Sequence, residues 1–349
     1  MRQVFLPITY IAMVSASVLY GQRVKSLTTA TRGDVDHRMP NDSTSSTAPT
    51  SSLTPSLASA KITADFASDQ PFLEYLRAAL EACDGASQIL RHHFGNLHQV
   101  DEKFQAGLVS EADKNSEKFI MDLLLSRFPD HAVLGEESGF SSAEVKAVLA
   151  PSITSQPLWI IDPLDGTTNY VHQFPYFCIS IGLEINHEIV AAVVDAPMLG
   201  LRFYALRGGG AFLNGRRLKS SHRAKLKDAL LATGMSGHNS ALDQQLALCE
   251  RVIRDSRGLR RAGSAALDLC MVAQGVFDAY WEKNLSPWDT AAGILIATEA
   301  GAVVTTMRGE PYDCRDKSIL CSTRAIHGDL ISIMGEFNLE IPPAQFFKK

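Results

Sequence analysis

The apolar run Leu158-Trp159-Ile160-Ile161 leads directly into Asp162-Pro163-Leu164-Asp165-Gly166-Thr167-Thr168. Such a run, closed by a Pro/Gly turn, reads as a buried strand. Two carboxylates at the mouth of an apolar strand are costly unless something positive offsets them. This stretch therefore calls for a packed sheet whose strand end opens on a charged site.

The pattern recurs. Glu136-Glu137 follow Ala132-Val133-Leu134-Gly135, and Asp289 closes Pro287-Trp288-Asp289 at the start of a helical stretch. Hard divalent cations suit an oxygen-only cluster of this kind, and no His or Cys competes. Pro163 sets a bend, and Gly166 lets the backbone come close to a ligand. Gly166-Thr167-Thr168 at a helix start would aim N–H groups at an anion. Carboxylates for a metal beside an anion cradle suit metal-assisted phosphoryl transfer to water.

Taken singly, each element has an ordinary explanation. Asp-Gly-Thr-Thr is a common turn, and paired Glu after a strand are commonly solvated. Their joint occurrence favours the site. Gly208-Gly209-Gly210 lacks a following helix and reads as a hairpin turn, not a phosphate loop. His92, His93 and His172 read as surface residues, and Trp159 and Trp288 as packing.

Around these elements, Phe72, Leu73, Leu76, Leu80, Cys83 and Ile89-Leu90 recur at helical spacing. Ser110-Glu111-Ala112-Asp113 is a capping pattern that opens a second helix, which Pro129 ends. Short apolar runs follow at His131–Leu134, Cys178–Leu183, Ile189–Asp195 and Arg202–Leu206. After Lys219, strands at Ala229–Thr233, Leu259–Arg261, Val276–Trp281 and Ile319–Cys321 alternate with helices at Leu242–Ile253, Ser264–Val272 and Asp289–Ala300. The reading is an α+β half over 69–219, largely antiparallel, and an α/β half over 220–345.

Residues 1–68 are a different kind of sequence. They carry 6 Lys/Arg and 4 Asp/Glu, which leaves 27 basic and 34 acidic residues in the remainder. The apolar stretch Val4–Leu19 follows Arg2 and ends near Val14-Ser15-Ala16; its 16 residues are short for a bilayer span. Residues 41–60 hold 11 Ser/Thr and cannot bury enough surface to fold alone. The segment reads as a targeting leader and linker, with a plastid as destination through a bipartite signal-plus-transit arrangement and the secretory pathway as the alternative. No stable membrane span is expected in the mature chain. A net charge of −5 lacks the basic footprint of a nucleic-acid binder. The six cysteines show no CxxC pair or metal spacing and read as small core residues.

Leu108-Val-Ser-Glu-Ala-Asp113, GEES (135–138), WIIDPLDGTTNY (159–170), RRAGSAALDL (260–269) and YWEKNLSPWDTAAGILIATEAG (280–301) together resemble the inositol monophosphatase family in its plant and bacterial form. The resemblance covers most of residues 70–340, with the motifs in family order. It implies a layered αβαβα sandwich of the sugar-phosphatase type, a homodimer, lithium sensitivity and Mg²⁺-dependent hydrolysis of a small phosphomonoester, with two or three ions. Myo-inositol monophosphate is the foremost substrate; histidinol phosphate, L-galactose 1-phosphate and bisphosphate nucleotides are the alternatives. By residue, Glu136, Asp162 and the Leu164 carbonyl would hold the first metal, and Asp162, Asp165 and Asp289 the second. Glu136 with Thr167 would position and deprotonate the attacking water, and the Gly166 and Thr167 amides would bind phosphate. Glu282 and Ala265 would contact substrate, Asp113 would support Thr167, and Glu137 would act from behind the ligands. Ser286 stands where animal enzymes have histidine. Phe140–Pro157 reads as a surface insertion, and Lys103 as a mobile-loop lysine with an open role towards a third metal.

Overall fold

In the computed structural model, residues 65–103, 107–138, 156–235 and 242–337 are described, all within one unit spanning residues 54–349. Alternation along the strands settles the layering, because successive residues face opposite sides of a sheet. Two sheets form the frame. One has seven strands in chain order: β3 (Ala132–Gly135), β4 (Leu158–Asp165), β5 (Cys178–Ile185), β6 (Glu188–Ala196), β7 (Leu201–Leu206), β8 (Gly210–Leu213) and β9 (Arg216–Arg217). β3 and β4 run parallel and the rest antiparallel. A small hairpin, β1 (Val100–Lys103) with β2 (Gly107–Ser110), precedes it in the chain.

On one face of this sheet, Trp159, Ile161, Ile179, Ile181 and Val193 pack with α1 (Leu73–His93) and α2 (Glu111–Arg127). On the other, Ile160, Ala192, Val194 and Phe203 pack with α5 (Ala265–Gln274) and α6 (Pro287–Glu299). α5 and α6 are buried between two sheets, so they are apolar nearly all round, as such a layer requires.

The second sheet has the order β11-β10-β12-β14-β13, from β10 (Leu230–Thr233), β11 (Gly258–Arg260), β12 (Ala279–Lys283), β13 (Val303–Thr305) and β14 (Ser318–Ser322). Its inner face adds Ala232, Tyr280, Ile319 and Cys321 to the α5/α6 layer. Its outer face adds Leu231, Trp281 and Leu320 to a third core with α4 (Leu242–Asp255) and α7 (Arg324–Gly335). The five layers are helix, sheet, helix, sheet, helix, as the sequence resemblance implies.

Element ends differ in instructive ways. β4 runs on through Asp165, four residues past the apolar run, because its pairing with β5 skips Pro163 and Leu164 at a bulge. Proline has no N–H for the ladder, so a bulge accommodates it. β12 starts at Ala279, not Val276. α6 starts at Pro287, since Ser286 caps it and proline tolerates the first helical position. At the start of the described chain, Phe66 is buried against Tyr204 and Phe212, so packing begins ahead of residue 69. The leader up to residue 64 and residues 140–155 of the insertion lie outside the described residues, as does the Lys103 side chain.

The hairpin reading of Gly208–Gly210 agrees with the β7–β8 pairing, and the turn does hold an anion, an internal one. Glu299 accepts from Gly208 N at 2.7 Å and Gly210 N at 2.8 Å. All six cysteines are free and buried. Among the described residues, no helix is long and apolar enough to cross a membrane.

Candidate active site

The β4–α3 turn forms the floor, with α3 the short helix Thr167–Val171. Asp162 Oδ1 accepts the Leu164 N–H at 2.9 Å, which folds the bulge over its own carboxylate. Ser116 Oγ donates to the Pro163 carbonyl at 3.2 Å and ties the bulge to α2. The Thr167 hydroxyl reaches both Asp113 Oδ1, at 3.0 Å, and the Leu164 carbonyl, at 3.1 Å.

Gly166 has φ of 98°, where a side chain is strained. A Cβ there would also lie 3.2 Å from Gly263 O, Tyr176 O and Phe177 Cβ. Asn169 Nδ2 closes this contact by donating to Tyr176 O and Ala262 O at 2.7 and 2.8 Å. Gly166→Ala should therefore cost about 1–2 kcal/mol of stability, measurable by urea unfolding.

Two walls are helix starts. Ser110 and Asp113 form the capping box of α2, with Ser110 N donating to Asp113 Oδ2 at 2.8 Å. Ser286 and Asp289 form the same box on α6, at 2.7 Å. In both, the ordinary helix-cap reading and the functional one coincide. The box fixes one carboxylate oxygen, and Asp113 uses its other for Thr167. Ser286 contributes its backbone N–H to that cap.

A third wall comes from the start of α5. Asp165 Oδ2 accepts from Ser264 Oγ and Ala266 N, both at 2.7 Å. This crosses from the seven-stranded sheet to the middle helical layer. The fourth wall is the turn after β3, where Glu136 N donates to Ile161 O at 3.2 Å. Glu117 holds this turn: its buried carboxylate accepts from Glu137 N at 2.8 Å and Ser138 N at 2.6 Å. A Cβ on Gly135 would overlap the Glu117 carboxylate, which explains the glycine before Glu136. Glu117 carries no sequence signal beyond being an acid on the buried face of α2.

Glu136, Asp162, Leu164, Asp165, Gly166, Thr167 and Asp289 line one cavity of about 230 Å³. An adjoining cavity of about 130 Å³ shares Asp165, Arg261, Gly263 and Asp289, and adds Ala265, Asp268 and Glu282. The expected ligands and contacts thus line these two adjoining cavities, while Asp113, behind Thr167, and Glu137 line neither. Burial raises Asp162 and Asp289 well above the usual carboxylate range, with neighbouring carboxylates adding to it. Burial likewise pushes Asp165 up to about 6 and Glu282 to about 7.

The donor set fits a hard cation. Asp162 and Asp289 each commit one oxygen to a backbone N–H, and among the described residues no donor meets the other. As the side chains stand, no group of three or more His, Cys, Asp or Glu among the described residues has the spacing of a metal site. The carboxylates line a cavity and do not enclose an ion by themselves.

A five-layered sandwich with an acidic cavity at a strand mouth is the architecture of a class of phosphatases. The extragenic suppressor protein suhB of Bartonella henselae has this fold, with a TM-score of 0.68 and 38% identity over 75% of this chain and 98% of that one. The family profile of the inositol monophosphatases matches residues 73–337, and the chain belongs to that family. Inositol monophosphatase 2 of Solanum lycopersicum is 38% identical over 75% of this chain and 98% of its own length. The chloroplastic phosphatase IMPL1 of Arabidopsis thaliana is 37% identical over 72% of this chain and 67% of its own. Members of the family hydrolyse phosphoric monoesters and are generally metal-dependent.

Proposed function

We propose that the chain hydrolyses the monophosphate ester of a small polyol, myo-inositol monophosphate foremost, with Mg²⁺ and an activated water. The observation that carries this is one cavity lined by Glu136, Asp162, Asp165, Asp289 and the Gly166-Thr167-Thr168 turn, adjoined by a second that shares Asp165 and Asp289 and contains Glu282. The tomato relative, named an inositol monophosphatase, supports the substrate.

Glu136, Asp162, the Leu164 carbonyl, Asp165 and Asp289 would hold two or three ions. Mg²⁺ bound there would supply positive charge against the phosphate and lower the pKa of water. The protein's own groups do the rest. Asp113 orients the Thr167 hydroxyl, and Thr167 with Glu136 aligns a water on phosphorus. Glu136, half-buried, takes the proton as the new P–O bond forms. The amides of Gly166 and Thr167 face the phosphoryl oxygens. The ester P–O bond breaks, and the departing alkoxide takes a proton from water beside Asp289. Ala265 and Glu282 contact the alcohol portion, and Glu137 steadies the turn that carries Glu136.

Chelator-treated protein should release no phosphate from inositol 1-phosphate, regain activity with Mg²⁺ and lose it again with Li⁺. Full activity in chelator would refute the metal reading. Release from histidinol phosphate but not from inositol phosphate would move the substrate. Plastid import is the further proposal for residues 1–68, supported by their composition and by the relative named chloroplastic. A homodimer and the absence of a nucleic-acid partner complete the reading, from family and composition.

A further inference from the structure

Of the ten residues of α5, Asp268 is the only charged one, and it is 1% exposed. Burying a carboxylate in an apolar helix is costly. Its position in the first turn offsets part of that cost through the helix dipole. A purely structural partnership with the Tyr176 hydroxyl could be replaced by apolar packing at little loss. The placement of Asp268 therefore needs another reason.

That reason lies in the cavity of about 130 Å³ beside the phosphate site, which Asp268 lines together with Glu282, Asp289 and Arg261. Asp268 and Glu282 are built alike. Asp268 Oδ1 accepts the Tyr176 hydroxyl at 2.6 Å, and Glu282 Oε2 accepts the Tyr280 hydroxyl. Each tyrosine fixes one oxygen of its carboxylate, Asp268 buried and Glu282 half-buried. Among the described residues, these are the only hydrogen bonds the two carboxylates accept. Burial raises both carboxylates above the usual range and Arg261 offsets part of that; its Nη2 also donates to Met235 O at 3.1 Å. Gly234 leaves the space that Glu282 occupies, since a Cβ there would overlap its carboxylate.

Two anchored acceptors side by side suit two hydroxyl donors. Of the four carboxylates lining this cavity, Asp165 and Asp289 belong to the metal site, which leaves Asp268 and Glu282 against one guanidinium and disfavours a second anionic group. We propose that Asp268 is a specificity-determining residue that, with Glu282, reads a pair of hydroxyls on the alcohol portion. The favoured substrate is then the monophosphate of a neutral polyol, and esters carrying a second phosphate or a carboxylate at this end are disfavoured. The inference rests on the polyol-phosphate reading above and adds Asp268 to it.

The test compares kcat and KM for inositol 1-phosphate and for cyclohexyl phosphate, which keeps the ring and lacks the hydroxyls, in Mg²⁺-loaded full-length protein. Asp268→Ala should lower kcat/KM for inositol 1-phosphate on the order of 10- to 100-fold, mostly through KM. Cyclohexyl phosphate should change by less than about 3-fold, having no hydroxyl to lose. Asp268→Asn keeps an acceptor oxygen and should recover part of the loss. Equal losses on both esters, in either variant, would show a structural role and overturn the proposal. So would no loss on inositol 1-phosphate. If Asp268→Ala does not fold, the Asn variant decides on the same ratio. Wild-type protein inactive on both esters would instead overturn the polyol-phosphate reading itself.

Discussion

Asp165→Asn should lower phosphate release by on the order of 10³-fold, while the chelated protein melts at a higher temperature than wild type. The two effects have one cause. Burial holds Asp165 near pKa 6, above the ordinary Asp value of 3.8. A raised carboxylate pKa means that folding favours the protonated form. Without metal, stability is greatest below the unfolded value and falls as pH rises from about 4 to about 6. At pH 7 the full cost is present, of order 2–3 kcal/mol for a shift of this size. Asparagine removes that cost and keeps an oxygen for Ser264 and Ala266, which now donate to Asp165. It also removes a negative charge from the cavity, so the rise in melting temperature on adding Mg²⁺ should shrink. Calorimetry with and without Mg²⁺, beside a phosphate-release assay, reads both sides. Unchanged activity in this variant would refute the assignment of Asp165 to the site.

Glu117→Ala should be the most damaging change outside the cavity. It leaves the N–H groups of Glu137 and Ser138 without the carboxylate that accepts them at 2.8 and 2.6 Å. Hydrogen bonds to a charged acceptor are worth about 1.5–3 kcal/mol each, and the neighbouring loop recovers part by taking up water. A net loss of about 3 kcal/mol is expected, read from urea midpoints. The turn carrying Glu136 then loses its anchor, and kcat should fall about 100-fold with a smaller change in KM. Glu117→Gln keeps one acceptor and should fall between. If kcat and stability are both untouched in Glu117→Ala, the turn is held by something other than this carboxylate.

Several features of the site were legible because their signals are local. Ser110 with Asp113 is a capping box at a spacing of three residues and is legible in the chain; the same spacing at Ser286 and Asp289 became a box only in the structure, where the helix starts at Pro287. The mouth of β4 announced itself because apolar residues meeting Asp162 and Asp165 are energetically conspicuous. The two-residue alternation of Trp159/Ile161 against Ile160 already implied that both faces of that strand would be covered. Glu117, Ser264, Tyr176 and Asp268 escaped notice for the opposite reason. Their roles depend on partners far along the chain: Glu137 and Ser138 for Glu117, Asp165 for Ser264, and each other for Tyr176 and Asp268.

The sequence by itself determined the kinds of element, the family and the carboxylates that could carry chemistry, since periodicity, capping and buried charge are short-range consequences of residue type. Only the tertiary structure decided which carboxylates share a cavity and which oxygens are already committed to the protein. It also decided that Arg261, Asp268 and Glu282 converge on a second compartment. Those facts depend on the stacking of two sheets around α5 and α6, where residues about 100 positions apart, such as Asp165 and Ser264, come within hydrogen-bonding distance.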